Sequence, residues 1–401
     1  LFVSTISLTP SYINMAPIST LLLATALACV AFAAPTQHKK RSFKIERVRQ
    51  ANYVPNGPVA LRKAYIKFGL DDISFLPDAN IAASINAESA AAGTGTENGK
   101  VPASPTQNDA EFLSPVTVGG QTLVMDFDTG SSDMWVFNTQ LPSQSQQGHT
   151  IFDPTKSSTF QTLNGATFNI TYGDSSFSEG TVGLDTVDIG GATVTQQAIG
   201  LPTVVAASFV SDTSSNGLVG LAFSALNTIQ PQQQKTFFAN VVSDLAEPVF
   251  TANLKHGVAG AYEFGKVDST QFSGSLTQIP VDSSRGFWEF ASTQIAVGSG
   301  QAQTVPGGSG TAIADTGTSL LIVDDGVVQA YYSQVTGAQN SAQAGGVVFP
   351  CNSTLPSLSV AIGDSYMAVI DGSLMNFSNA GTDSQTGEQC EYTFELLTSR
   401  Y

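Results

Sequence analysis

The chain has 401 residues, 42% of them hydrophobic and only 12% charged, with a formal net charge of −16. This composition excludes a disordered chain and leaves room for two domains. Its acidic balance argues against nucleic acid as a partner, because an acidic body repels phosphates. Abundant Gly, Ser and Thr with little Lys suit an all-β protein with many turns.

Residues 1–14 contain no Met and read as translated upstream sequence. From Met15 runs "MAPISTLLLATALACVAFAAP", apolar from Leu21 to Ala34, with Ala31-Phe32-Ala33 as an A-x-A-like cleavage site. Residues 15–34 therefore read as a secretory signal, although no positive charge precedes them. The run is short for a membrane span. The expectation is a secreted, extracellular protein with no membrane association after signal removal.

Residues 35–100 form a basic arm and linker. Pro35 to Leu70 holds nine Lys or Arg against one acid, Glu46, whereas Val101 to the end holds six Lys or Arg against 26 Asp or Glu. A basic arm of this kind suits either an interaction tail or an internal partner for the acidic body. The following "AASINAESAAAGTGTENGK" has linker composition.

The body starts near Phe112. Short β-type runs such as "TFNITYGD" and "LPSLSVAIGDSYMAVI" alternate with Gly, Asp and Asn turns. Two helical stripes stand out: Thr236 to Leu245 (Phe237, Phe238, Val241, Val242, Leu245) and Gly326 to Val335 (Val327, Val328, Tyr331, Tyr332, Val335). Asp324 and Asp325 are candidate caps for the second. Of three cysteines, Cys29 lies in the signal. Cys351 and Cys390 remain as an even pair in an exported protein, and a disulfide is the natural reading; the alternative is two buried thiols. Asn169, Asn352 and Asn376 head possible glycan sequons.

One motif occurs twice. "MDFDTGSSDMWVF" and "TAIADTGTSLLIV" share apolar residues, Asp-Thr-Gly, two hydroxyls, then apolar residues. The acids are Asp128 and Asp315. A lone Asp-Thr-Gly is ordinary turn chemistry, but two copies with matching flanks suggest two lobes about a pseudo-twofold axis, each giving one carboxylate to a shared cleft. Two such acids cannot both ionise cheaply, so the pair holds one proton across a broad acidic range. The aspartic-protease dyad is the reference case for this behaviour. One member can take a proton from a bound water while the other donates to a substrate carbonyl.

The neighbours fit that chemistry. Gly130 and Gly317 permit close backbone approach with N–H groups facing the acids. Thr129 and Thr316 can hydrogen-bond across the lobe interface, and Ser131 and Thr318 can bond the outer carboxylate oxygens. Other catalytic classes lack parts. Beyond the signal and arm only His149 and His256 remain, and there is no G-x-S-x-G or H-E-x-x-H. The reading calls for no metal and no cofactor.

The body resembles the pepsin-family aspartic proteases and is similar to their secreted fungal penicillopepsin- and aspergillopepsin-like group. The resemblance runs from about Phe112 to about Cys390. It is carried by "FDTGSSDMWVF", "ITYGDSS", "NGLVGLAFSALNTIQP", "GFWEF" and "AIADTGTSLLIVDD". It implies an all-β, bilobal, β-barrel-type fold with the cleft between lobes at 101–255 and 256–401 and a few short helices. It also implies a monomer acting on protein and peptide substrates. Tyr172-Gly173-Asp174 resembles a flap tip, with Tyr172 approaching Trp135 and Asp174 placed to pair with a Lys at P1. The basic arm resembles a propeptide acting as intramolecular inhibitor, with Lys63 or Lys67 over the acids and cleavage between Gly93 and Asn108. Activation at low pH follows from the charge split, because protonating the body weakens its hold on the arm.

Leu218-Val219-Gly220 resembles the segment that threads the first active-site loop, 92 residues after Asp128. A second copy would fall near position 407, and "AIGDS" (Ala361 to Ser365) reads as a hairpin turn instead. "EYTFELLTSRY" after Cys390 does not resemble the family's continuation. The expectation is a C-terminal lobe that is incomplete in this chain. The alternative function is a non-catalytic, protease-like protein that binds peptides or inhibitors, or an inactive truncated product.

Overall fold

A computed structural model describes residues 111–172, 176–255, 260–305, 308–341, 346–350 and 352–376, plus the backbone of Phe2–Val3, Phe43–Glu46, Gly381–Thr382 and Gln389–Cys390. The signal, Lys63, Lys67, Gly173, Asp174, His256 and Cys351 lie outside the described residues, as does the side chain of Cys390.

The first lobe is a closed β-structure. Its strands are β1 (Leu113–Val118), β2 (Gln121–Asp128), β3 (Met134–Val136), β4 (Gln161–Thr171), β5 (Phe177–Ile189), β6 (Ala192–Val205) and β7 (Gly217–Gly220). They are ordered β1-β2-β7-β3-β6-β5-β4, and an added β1–β5 pairing closes six of them into a ring. Closure removes the open edges that a sheet would otherwise expose. Alternating burial along β2, Leu123 and Met125 inward with Thr122 outward, is the period-two pattern of a half-buried strand. Beneath it, Phe127, Phe152, Phe237, Tyr262 and Phe264 are all at 0% exposure in one core.

β7 enters between two loop-forming strands. It runs parallel to β2, with Asp128 opposite Gly220, and antiparallel to β3, with Met134 opposite Val219. Gly220 admits no side chain there: a Cβ would lie 2.6 Å from the Asp133 nitrogen. Leu218-Val219-Gly220 thus threads the loop, as the resemblance implies.

A four-stranded antiparallel sheet follows. It is built on β8 (Phe250–Asn253) and β9 (Ala261–Phe264), flanked by Phe2–Val3 and Phe43–Glu46. Part of the basic arm is therefore a strand, with Lys44 opposite Glu263. Phe2–Val3, in the stretch read as upstream sequence, is opposite Thr251 and Ala252.

The second lobe has smaller sheets. β10 (Glu289–Ala291) pairs with β13 (Thr311–Ile313). β11 (Gln294–Val297), β12 (Gln303–Thr304), β14 (Leu358–Ile362) and β15 (Tyr366–Ile370) form a sheet ordered β12-β11-β14-β15. The β14–β15 turn is at Gly363, a glycine with φ +66°, so "AIGDS" is the expected hairpin.

The helices are short: α1 (Ala207–Ser211), α2 (Phe237–Val241) and α3 (Asp325–Tyr332). The first stripe is shorter as a helix than its periodicity suggests. α2 starts at a Thr236 cap, whose hydroxyl accepts from the Ala239 N–H, and ends at Val241, while Leu245 is buried beyond it. Asp324 stands at the α3 cap position but makes no side-chain cap bond, so the capping expectation fails there. The stripe Val327, Val328, Tyr331 and Tyr332 packs into the second lobe's core with Ile295 and Phe349. No helix among the described residues is long and apolar enough to cross a membrane.

Candidate active site

Asp128 is the last residue of β2 and Asp315 follows β13 by two residues, so each carboxylate leaves the end of a strand. Asp128 is 2% exposed, and Asp315 is partly buried. The Gly130 N–H donates to Asp128 Oδ1 (2.8 Å), and the Gly317 N–H donates to Asp315 Oδ1 (2.9 Å). Each glycine faces the other loop's acid as well. A Cβ on Gly130 would fall 2.5–2.7 Å from the Asp315 carboxyl atoms, and one on Gly317 would strike the Asp128 carboxyl. The two carboxyls are thus brought together between two glycine backbones, with no room for a side chain on either side.

The threonines lock the loops reciprocally. The Thr129 N–H donates to Thr316 Oγ1 (3.1 Å) and the Thr316 N–H to Thr129 Oγ1 (2.9 Å). Each hydroxyl then donates onward: Thr129 to the Ala314 carbonyl (2.8 Å), Thr316 to the Phe127 carbonyl (2.6 Å). Every polar atom of both threonine side chains is used, and each bond crosses between loops 187 residues apart.

The outer hydroxyls differ. Thr318 donates to Asp315 Oδ2 at 2.6 Å. Ser131 makes no such bond: its Oγ is buried without a hydrogen-bond partner among the described residues. The expected symmetry of Ser131 and Thr318 therefore breaks. Ser132 turns its hydroxyl away, to the Phe223 carbonyl (2.6 Å).

The hairpin of β4 and β5 brings Tyr172 over the site's first-lobe side. The Tyr172 N–H bonds the Ser176 carbonyl (2.7 Å) across the turn, and the Trp135 indole N–H donates to Tyr172 Oη (2.8 Å). Burial raises the Tyr172 phenol well above its ordinary value of 10, so it remains a neutral acceptor. Phe209 of α1 meets both rings edge-on, at 5.0 Å from Trp135 and 5.4 Å from Tyr172. Phe209 escaped sequence reasoning because "ASFVS" carries no motif; only folding brings it to Trp135.

Asp133, in the same "FDTGSSDMWVF" segment, has no part in the paired-acid expectation. It is 1% exposed and accepts from the Thr228 N–H (3.1 Å), the Thr228 hydroxyl (3.0 Å) and Asn227 Nδ2 (3.4 Å). Burial outweighs those bonds and pushes its carboxyl up to about 6. A second acid inside an apolar-flanked motif was the available signal.

The glycan candidates separate in kind. Asn169 is on β4 with its amide bonded to Glu179 Oε2 (2.9 Å). Asn352 is exposed beside a turn in which the Ser353 N–H bonds the Pro350 carbonyl (2.9 Å). Asn376 is half-buried at the edge of the described residues. Among the described residues no His, Cys, Asp and Glu group could hold a metal ion.

Comparison with known proteins identifies the family. The family model for eukaryotic aspartyl proteases matches residues 111–399, so the family match runs past Cys390. The chain is 52% identical over 397 residues to aspartic protease PEP3 of Coccidioides posadasii, covering 97% of this chain and 89% of that protein. It is 43% identical to aspergillopepsin-1 of Aspergillus oryzae, covering 92% and 90%. It is 49% identical over 280 residues to penicillopepsin-1 of Penicillium janthinellum, covering 70% and 84%. Paired Asp-Thr-Gly loops, locked threonines and a match over most of the chain lead to one conclusion: the chain belongs to the eukaryotic aspartyl protease family, with the fungal aspergillopepsin- and penicillopepsin-like endopeptidases among its relatives.

Proposed function

We propose that the protein is a secreted acid endopeptidase in which Asp128 and Asp315 activate one water. The observation that supports this best is reciprocal: each carboxyl accepts its own loop's glycine N–H and abuts the other loop's glycine. The ionised carboxylate takes a proton from the water, whose oxygen bonds to the peptide carbon. The carbonyl oxygen takes the proton of the neutral carboxyl, giving a gem-diol. Collapse then breaks the C–N bond, with the amine leaving protonated, and no covalent enzyme intermediate forms. Thr129, Thr316, Gly130, Gly317 and Thr318 hold the pair, and Tyr172 and Trp135 line the substrate side. Asp174 pairs with a Lys at P1 in this reading; Asp174→Ala is expected to lower cleavage after Lys relative to cleavage after Phe.

The remaining parts of the reading concern maturation. Residues 15–34 direct export, and residues 35–100 form a propeptide with Lys63 or Lys67 over the acids. The strand pairing of Phe43–Glu46 with β9 supports an arm lying on the body. The mature protein is a monomer of two lobes, 101–255 and 256–401, with Cys351 and Cys390 bridged and Asn352 the best-presented glycan acceptor. The test is hydrolysis of a protein substrate by the full chain between about pH 3 and 5, with Asp128→Asn and Asp315→Asn as controls. Cleavage by the unmodified chain that is lost in both variants supports the reading; undiminished cleavage in either variant overturns it, and peptide bound but left uncleaved by the unmodified chain would favour a binding protein.

A further inference from the structure

Four hydrogen bonds and one peptide link close a ring through both acid-bearing loops. The Leu221 N–H donates to the Asp128 carbonyl (2.7 Å). The Leu221 carbonyl accepts the indole N–H of Trp288 (2.9 Å). The Trp288 carbonyl accepts the Ala314 N–H (3.1 Å), and the Ala314 carbonyl accepts the Thr129 hydroxyl (2.8 Å). Thr129 is covalently next to Asp128, and Ala314 is next to Asp315.

We infer that Trp288 is a positioning residue for both acids, its indole tying the first loop to the strand that delivers the second. Trp288 comes just before β10, whose partner β13 leads to Asp315. Its ring nevertheless lies in the first lobe's core, 6% exposed, 4.3 Å from Phe223 and 5.7 Å from Phe250. A tryptophan that only filled space would leave its N–H to any acceptor or to water. This one uses it on the carbonyl of Leu221, whose own N–H holds the Asp128 backbone. A second tie runs alongside, from the Phe223 N–H to the Gly286 carbonyl (3.0 Å). Two donors of the ring are side chains, Thr129 and Trp288. Thr129 belongs to the Asp-Thr-Gly motif, so Trp288 is the link that can be cut without touching it.

The inference rests on the peptidase reading and is tested with the full chain activated at acid pH. Trp288→Phe keeps an aromatic ring and removes the donor. Phe152→Leu, at 0% exposure in the same core and outside the ring, is the control for lost packing. A misplaced reacting group of about 1 Å can cost roughly 100-fold, so partial loosening in Trp288→Phe is expected to lower kcat about tenfold with KM within about twofold. The limbs of its pH–rate profile should also move, because the two acids titrate as a pair whose spacing sets both apparent values. Phe152→Leu should lower the melting temperature and leave kcat and the profile unchanged. Wild-type kcat and profile in folded Trp288→Phe, or the same kinetic change in Phe152→Leu, would overturn the assignment. If Trp288→Phe does not fold, benzothienylalanine at position 288 replaces the N–H by sulfur at nearly constant shape and is read by the same criteria. Undiminished cleavage by Asp128→Asn would instead overturn the peptidase reading beneath it.

Discussion

The two Asp-Thr-Gly loops share a tripeptide and differ in almost everything that supports it. Asp128 ends an eight-residue strand inside a closed ring of strands, with β7 threaded beside it and the Leu221 N–H on its carbonyl. Asp315 follows a three-residue strand paired with β10, and it draws a hydroxyl bond from its own loop through Thr318. Five residues after each acid the contrast sharpens: the first loop buries Asp133, and the second buries Leu320. The first acid thus draws its backbone support from its own lobe's strands, the second takes a hydroxyl bond from its own loop, and the threonines lock both loops alike. An identical motif fixes the chemistry offered, whereas the surrounding strands decide how firmly each copy is held.

Removing either acid should erase this difference. Asp128→Asn and Asp315→Asn are each expected to lower kcat by about 1,000-fold or more, because general acid and base roles are both lost. Equal losses confirm a shared site, and a small loss in one would split it. The glycines come next. Gly130→Ala and Gly317→Ala each drive a Cβ into the opposite carboxyl, and a loss of roughly 100-fold in kcat is expected from the displacement. Asp315, less deeply buried than Asp128, should yield more easily, so Gly130→Ala should be the milder of the two.

Hydroxyl removal separates the loops. Thr318→Ala deletes a 2.6 Å hydroxyl bond to Asp315 Oδ2, which should cost about tenfold in kcat. Ser131→Ala deletes an oxygen with no hydrogen-bond partner among the described residues and should change kcat less than about twofold. Parallel losses in the two variants would restore the symmetry that the geometry denies.

The last prediction concerns pH and stability, and it belongs to the first loop alone. Burial raises Asp133 from 3.8 to about 6, so the folded protein binds that proton more tightly than the unfolded chain. The resulting stabilisation is present in full below the unfolded value and is lost as pH rises through the folded one. A shift of this size corresponds to on the order of 3 kcal/mol. Asp133→Asn should therefore flatten the fall in melting temperature between about pH 4 and 7. An equally steep fall in the variant would assign the pH dependence elsewhere.

Legibility in the sequence followed the range of the interaction. Strands, turns and the α3 stripe were readable because periodicity and glycine punctuation act over a few residues. α2 ends at Val241, yet Leu245, past the turn that follows, is buried in the same core as Phe237, Phe238 and Val241. The acid pair was readable because the motif is repeated, although its closeness was not. Phe209 carried no local signal, and Thr228 and Trp288 stood in recognisable segments without showing what they touch, since each acts on a residue between 67 and 95 positions away or meets its partners only across the folded lobe. Ser131 was misjudged for a related reason: its spacing from Asp128 allows a bond, but the backbone orientation decides whether the hydroxyl takes it.

By itself, then, the sequence determined an all-β chain, an acidic body with a basic arm, and two carboxylates in matching turns. Those properties reside in composition and short patterns. Only the tertiary structure decided that each acid faces the other loop's glycine, that the threonines interlock, and that a tryptophan before a second-lobe strand anchors in the first lobe's core. Such contacts join segments far apart in the chain, and packing, not sequence spacing, selects which of the possible partners meet.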